Sequence, residues 1–394
     1  MRILFLSPWL PLPQDNGSKI RIYNLLRGLA SRHDVSLLAF SRATDQHDHL
    51  PALRELCSQV ELVPWKAFEP DSLCARLGLI SPKPRSLVDT HSPRMQQLIM
   101  DELRNAPYDA IVASELTMGT YAGSFAGIPA LLEDLELGGY AGLPREGSRR
   151  AVVRHKLTWL KTRSYVARLL KHFRTVTVVS PQEYSIVSPL LQPSQHVAMV
   201  PNCLDCAAYE PIQAHPLPNS LIFSGALTYA ANYDGLSYFL EEIYPLVKAA
   251  VPAATLRVTG RCEGVPLPTA FDDESIHFDG YIDDIKTAVA RSWVSIVPIR
   301  KGSGTRLKIL EALALGTAVV STSKGAEGLE LEHGVHLLLA DTPQDFAEAT
   351  IQLLKNAELR FRLGRNGQQR IAEKYDWSRV LPQFVGLVEA LPGL

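Results

Sequence analysis

The chain has 394 residues, 40 Lys and Arg against 41 Asp and Glu, and a hydrophobic content of 46%. Those totals exclude a polybasic nucleic-acid binder, a disordered chain and a collagen-like one. The length is too great for one compact core and suits two domains of about 200 residues each.

The first stretch, MRILFLSPWLPLP, is apolar but broken by prolines and has no small-residue cleavage site. It reads as a buried strand over Ile3 to Ser7 rather than as a leader. No segment offers the ~18 uninterrupted apolar residues of a membrane span. The five cysteines are odd in number and scattered, which points to a reducing, cytoplasmic setting. Cys203 and Cys206 form a lone C-x-x-C without the second pair that a zinc site needs.

Apolar, β-branched runs then recur with helical segments between them, the pattern of parallel sheets covered on both faces. In the first half the expected strands are 3–7, 35–40, 60–64, 110–114, 130–133 and 176–180. In the second half they are 221–224, 255–259, 276–279, 294–298, 318–322 and 336–340. The seam falls near Val200-Pro201-Asn202, before the proline-rich stretch 211–218. Two α/β sheets are expected, with an active cleft where the carboxyl ends of their strands meet. Two helical stretches follow Pro343, and a further helix begins at Trp377.

Four stretches carry candidate chemistry. The first is a glycine turn, PLPQDNG, after the first expected strand, which opens a helix bearing Lys19 and Arg21. It suits phosphate, lacks the G-x-G-x-x-G of a dinucleotide site, and serves equally as a plain connection. The second is 148–174, with nine Lys or Arg and no acid. On a helical wheel Val152, Trp159, Val166, Leu170 and Phe173 form one inward stripe, whereas Val153, Leu157 and Leu160 fall among the charges. That outer face fits either a solvated helix or one resting on an anionic membrane surface. The third is a set of acids after strands of the first half: Glu115 after one, Glu133, Asp134 and Glu136 after the next. A carboxylate there can hold a hydroxyl or take its proton, and can equally cap a helix.

The fourth is VSIVPIRKGSGTRLKILE, 294–311, a strand, a glycine loop and a helix for which Thr305 is the expected cap. A helix starting beyond a parallel strand aims free N–H groups and its positive dipole end at a phosphate. Arg306 and Lys308 add cations, and Glu311 places a carboxylate one turn later. A diphosphate joined to a ribose needs that order, because phosphate oxygens accept and ribose hydroxyls donate. An exposed Lys308–Glu311 salt bridge is the plain alternative.

Taken together, PLPQDNGSKIR (11–21), VPNCLD (200–205), FSGALTYAANYD (223–234), Val258 to Gly260, Phe278 to Ile282, Gly302 to Gly316 and Gly325 to Leu329 resemble the retaining glycosyltransferases of family 4 over nearly the whole length. The likeness is greatest to those of bacterial exopolysaccharide and PEP-CTERM gene clusters. The resemblance implies the GT-B fold: two Rossmann-like domains facing across a cleft, 1–200 for the acceptor and 201–375 for the nucleotide sugar, with 376–394 crossing back onto the first. It implies Glu311 on the ribose, Gly225, Gly260, Tyr281 and Ile282 bordering the donor and its base, and Gly17 near the diphosphate. Ser303, Gly304 and Thr305 border the donor too. Ser303 stands where the family usually has a glutamate that holds the sugar, and the basic pair common after the second domain's first strand is absent. Lys308 and Arg306 are then the expected diphosphate partners, backed by Arg261, with Glu115, Asp134 and Glu136 as acceptor candidates. The implied activity is a metal-independent hexosyl transfer from a UDP- or GDP-sugar to a glycan, glycolipid or small-molecule acceptor, with no further cofactor, at the cytoplasmic side and peripheral to the inner face of the membrane. A nucleotide-sugar epimerase or hydrolase, or a silent sugar-nucleotide-binding protein, stays open beside it.

Overall fold

A computed structural model describes residues 1–42, 47–141, 149–210, 212, 214–266, 273–302 and 304–393. The chain divides into two units, Met1–Asn202 with Val380–Leu394, and Cys203–Arg379.

The first unit is built on seven strands: β1 (Arg2–Ser7), β2 (Asp34–Ser41), β3 (Gln59–Pro64), β4 (Ala110–Ser114), β5 (Ala130–Glu133), β6 (Thr175–Val178) and β7 (His196–Met199). They lie in the order β3-β2-β1-β4-β5-β6-β7, and every pair is parallel. Ile3, Leu4, Phe5 and Leu6 have no exposed surface, because helices cover both faces of the sheet. One of these is Gly17–Ala30, where Asn16 Oδ1 accepts from the Lys19 amide at 3.0 Å and caps the first turn. Its Ile22, Leu25, Leu26 and Leu29 recur at three- and four-residue spacing and are all buried.

The basic helix spans Arg149–Leu169. Val166, Leu170 and Phe173 are buried, Val152 and Trp159 are half-buried, and Val153, Leu157 and Leu160 are exposed. From the last helix, Trp377–Glu389, Leu381 lies over Gly28, and Glu389 Oε1 is 3.1 Å from Arg32 Nη2.

The second unit has six parallel strands: β8 (Ser220–Ser224), β9 (Thr255–Thr259), β10 (Ile276–Gly280), β11 (Val294–Val297), β12 (Ala318–Ser321) and β13 (Leu338–Leu339), in the order β10-β9-β8-β11-β12-β13. Its separate core includes Ile222, Phe223, Ile296, Leu310, Leu313 and Phe346.

Several strands stop short of their expected ends for local reasons. Pro298 has no N–H to continue β11. Ser180 leaves β6 to cap the next helix, accepting from the Glu183 amide. In β13 the rings of His333 and His336 accept from the Leu339 and Glu332 amides, which turns the chain where 336–340 reads as a strand.

Candidate functional site

In both sheets the chain winds outward in one direction and then returns to wind in the other. The reversal falls between β1 and β4 in the first unit and between β8 and β11 in the second. Loops leaving the carboxyl ends of such a strand pair diverge to opposite faces and leave a crevice between them. In the second unit the pairing of β8 with β11 covers only Leu221↔Val294 and Ile222↔Ser295, which widens that crevice.

The loops at the second crevice lie close together because they are glycine. Gly225 follows β8 with φ +140, and Gly260 follows β9 with φ +115. A Cβ on Gly260 would collide with the backbone of Gly225. A Cβ on Gly225 would come within 2.6 Å of Lys308 Nζ, so the lysine head sits directly over the end of β8. Lys308 Nζ donates to Asn232 Oδ1 at 3.0 Å and lies 4.6 Å from the centre of the Phe223 ring. Burial pushes its pKa down to about 7, aided by the neighbouring Arg306 charge and opposed by Glu311.

Glu311 does not pair with Lys308. Its carboxylate accepts from the Tyr209 hydroxyl, and burial raises its pKa, against the opposing charges of Lys308 and Lys286. Burial and then the Glu311 charge raise the pKa of Tyr209, so the hydroxyl keeps its proton and donates. Lys286 Nζ lies 4.3 Å above the Tyr209 ring. The plain alternative, an exposed Lys308–Glu311 bridge, is thereby replaced by two separately held groups of opposite charge one turn apart.

Thr305 is not the helix cap. The helix spans Leu307–Ala314, its N-terminal boundary residue is Arg306, and no side chain caps it. The reason lies in the loop: Gly302 and Gly304 both take positive φ, and Arg306 folds back so that Nη1 donates to the Gly304 carbonyl at 2.8 Å and Nη2 to that of Lys301 at 3.3 Å. Arg306 thus braces the glycine loop, and the first turn begins at Leu307 rather than at Gly304. Ser303 lies outside the described residues. Arg261 is exposed at the rim, 5.9 Å from the centre of the exposed Tyr281 ring, and its carbonyl accepts from the Leu227 amide. Ile282 is half-buried beside it.

Gly17, Glu115, Asp134 and Glu136 belong to the first unit. Glu115 and Asp134 leave β4 and β5 with φ +60 and +55, a conformation that costs energy in any residue with a Cβ. Glu115 Oε1 accepts from Trp9 Nε1 at 3.1 Å, a bond across the β1–β4 reversal, and the carboxyl lies near the hydroxyl of Ser18, next to Gly17. Burial raises the Glu115 pKa to about 7, with Glu133 and Glu136 adding to the rise. Asp134 is also raised by burial, with Arg21 opposing. Its Oδ1 has no hydrogen-bond partner among the described residues.

Arg21 holds this cluster together. Its Nε is 2.5 Å from Glu133 Oε1 and 3.7 Å from Asp134 Oδ2, and its Nη1 donates to Pro201 O and Asn202 Oδ1. Ser114 Oγ donates to the other Glu133 oxygen at 2.6 Å. Sequence reasoning missed Trp9, Tyr209 and Asn232, none of which has a spacing signal. It placed Arg21 on a basic helix that suits phosphate or serves as a plain connection, whereas the side chain is buried against Glu133. Among the described residues no group of three or more His, Cys, Asp or Glu is placed to hold a metal, and no helix is long and apolar enough to cross a membrane.

The sequence model of the family Glycosyl transferases group 1 matches residues 218–356. A 44.6 kDa protein in the cps region of Klebsiella pneumoniae is 27% identical over 169 residues, 41% of this chain and 44% of that one, so the chain spans under half the length of this relative. Sucrose-phosphate synthase from Thermosynechococcus elongatus superposes with a TM-score of 0.71 at 16% identity, covering 99% of both chains. HepE of Anabaena, solved with UDP and glucose, gives 0.66 at 14% identity, covering 99% of this chain and all of the other. The architecture is therefore the α/β fold of the GT-B glycosyltransferases, with two Rossmann-like parallel-sheet units, and the segment that carries the glycine loops, Lys308 and Glu311 matches the group 1 glycosyltransferase family.

Proposed function

We propose that the chain is a nucleotide-sugar-dependent glycosyltransferase of the retaining kind, acting on a glycan, glycolipid or other hydroxyl acceptor in exopolysaccharide assembly. The observation that carries this is the separation of Lys308 from Glu311. A cation sits over the glycine-lined end of β8, and a carboxylate one turn away is held by a tyrosine. The diphosphate of the donor lies against Gly225, Gly260 and Lys308, and its ribose hydroxyls donate to Glu311. Arg306 contributes by holding the loop at Gly302 and Gly304 in shape, Arg261 meets the outer phosphate, and Tyr281 and Ile282 border the base. That HepE was solved with UDP supports a uridine donor.

Transfer requires stabilising charge on the departing diphosphate, and a half-buried lysine is worth more there than in water. Attack comes from the face that the diphosphate leaves, and the diphosphate takes the acceptor proton, so no enzyme nucleophile or metal is needed. The first unit holds the acceptor hydroxyl at Glu115, with Asp134 and Glu136 near it.

The test pairs UDP- and GDP-sugars with glycan and glycolipid acceptors and reads the anomeric configuration of the product by NMR. Lys308→Ala is expected to lower turnover by roughly a hundredfold, the cost of losing one such donor. Unchanged turnover removes Lys308 from the reaction, and an inverted product rejects retention.

A further inference from the structure

The surface of the first unit carries apolar side chains that its sheet and core do not account for. The short helix Leu73–Leu77 and the turn after it leave Leu73, Leu77, Leu79 and Ile80 between 54% and 86% exposed. Single exposed apolar residues need no explanation, but neighbouring ones do. The stretch 72–86 also has three bases, Arg76, Lys83 and Arg85, and no acid.

A second exposed stripe runs along the basic helix Arg149–Leu169. Val153, Leu157 and Leu160 follow one another at four- and three-residue spacing and so share one face, and each is more than half exposed. Lys161, one turn beyond Leu157 on the same face, joins the two features. Its Nζ donates to the Gly78 carbonyl at 2.6 Å and is within 3.4 Å of the Leu79 carbonyl. This lysine spends its charge on backbone acceptors and fixes the leucine turn beside the helix. The result is one apolar surface drawn from two distant stretches, with exposed Arg76, Lys83, Arg154, Lys156 and Arg163 around it.

We propose that this surface docks on an anionic lipid bilayer: Leu79 and Ile80 enter the headgroup boundary, Leu157 and Leu160 lie along it, and the surrounding bases meet lipid phosphates. Charge complementarity selects this occupant. Apart from the exposed Glu69 and Asp71 at its leading edge, the apolar strip is bordered by bases, which matches a surface whose hydrocarbon lies beneath a layer of negative charge. The inference stands apart from the transfer reaction, since no residue of either crevice takes part in it.

The test is co-sedimentation of the full chain with vesicles of phosphatidylcholine alone, or of phosphatidylcholine mixed with phosphatidylglycerol. The chain is expected to bind the mixed vesicles, more weakly as salt is raised, and to leave the neutral ones largely unbound. Leu79→Ser with Ile80→Ser, and separately Leu157→Ser with Leu160→Ser, are each expected to weaken binding at least about tenfold. All four side chains are exposed, so the melting temperature of both variants should stay at that of the parent. Absence of vesicle binding, equal binding to neutral vesicles, or binding that neither pair of substitutions weakens overturns the proposal. A concentration-dependent dimer in analytical ultracentrifugation that the same substitutions abolish, without vesicle binding, assigns the surface to a second copy instead.

Discussion

Glu115 and Arg21 show how burial sets the chemistry of single residues in the first unit. Glu115 is bonded to Trp9 and lies near Ser18 but faces Glu133 and Glu136 from within a half-buried crevice, so its carboxyl holds its proton up to about 7. A carboxyl raised in the fold favours the folded state at low pH, because the folded form binds the proton more tightly. That contribution is complete below the usual 4.5 and is lost as pH rises through about 7. Glu115→Gln is expected to flatten the fall in stability across that window, which amounts to at most about 3 kcal/mol. Denaturant melts of parent and variant at pH 4.5 and pH 8 would show it, and parallel curves would place the carboxyl in an ordinary aqueous setting. Arg21 is buried against Glu133, its Nε on one carboxylate oxygen while Ser114 holds the other. A buried charge without its partner costs more than the pair contributes, so this residue belongs to the support of the crevice rather than to its contents.

Among elements, the turn from β11 through the glycine loop into Leu307–Ala314 carries most of the second crevice. Its helix supplies Lys308 and Glu311 one turn apart, their different partners, Asn232 and Tyr209, hold them separately, and the loop is held by Arg306 to its own carbonyls. The Lys308 pKa lies below its usual 10.5, so the stability that the neutral form gives is full above 10.5 and is lost as pH falls through about 7. A bound diphosphate reverses this preference and favours the ammonium. Above pH 7 binding must therefore take up a proton, and nucleoside diphosphate affinity is expected to fall by about tenfold per pH unit until the complex itself titrates. Lys308→Arg stays charged and should remove the slope. Isothermal titration at pH 7, 8 and 9 gives the answer, and an equal slope in parent and variant would place the proton uptake elsewhere.

At the scale of the molecule, each unit has its own parallel sheet, its own core and its own crevice at a reversal of strand order. A ligand that binds only the folded form at a hundred times its dissociation constant stabilises by about 2.7 kcal/mol. For a domain of this size that raises the melting temperature by roughly 5–10 °C. Uridine diphosphate is expected to give such a shift and Glu311→Ala to reduce it to a small fraction, read by differential scanning fluorimetry. No shift with either uridine or guanosine diphosphate would count against the donor site.

Much of this was legible in the chain because it is local. Strands such as Ile3 to Leu6 are apolar at every position, a pattern that only a sheet buried on both faces requires, and glycines at 225, 260, 302 and 304 mark backbone that a Cβ would block or strain. The spacing of Lys308 and Glu311 is likewise a property of one helix. What pairs with what was not legible, because those partners are far apart in sequence. Tyr209 reaches Glu311, Asn232 reaches Lys308, Trp9 reaches Glu115, and Lys161 reaches the carbonyl of Gly78 only through the fold. Arg21 and Thr305 make the same point in reverse: the sequence offered a candidate phosphate cation and a helix cap, and packing buried the first against Glu133 and handed the helix boundary to Arg306. Backbone preference and apolar periodicity are decided residue by residue, so the sequence determined the elements and their type; the charge state and partner of each polar group depend on what else is buried beside it, and that only the tertiary structure decided.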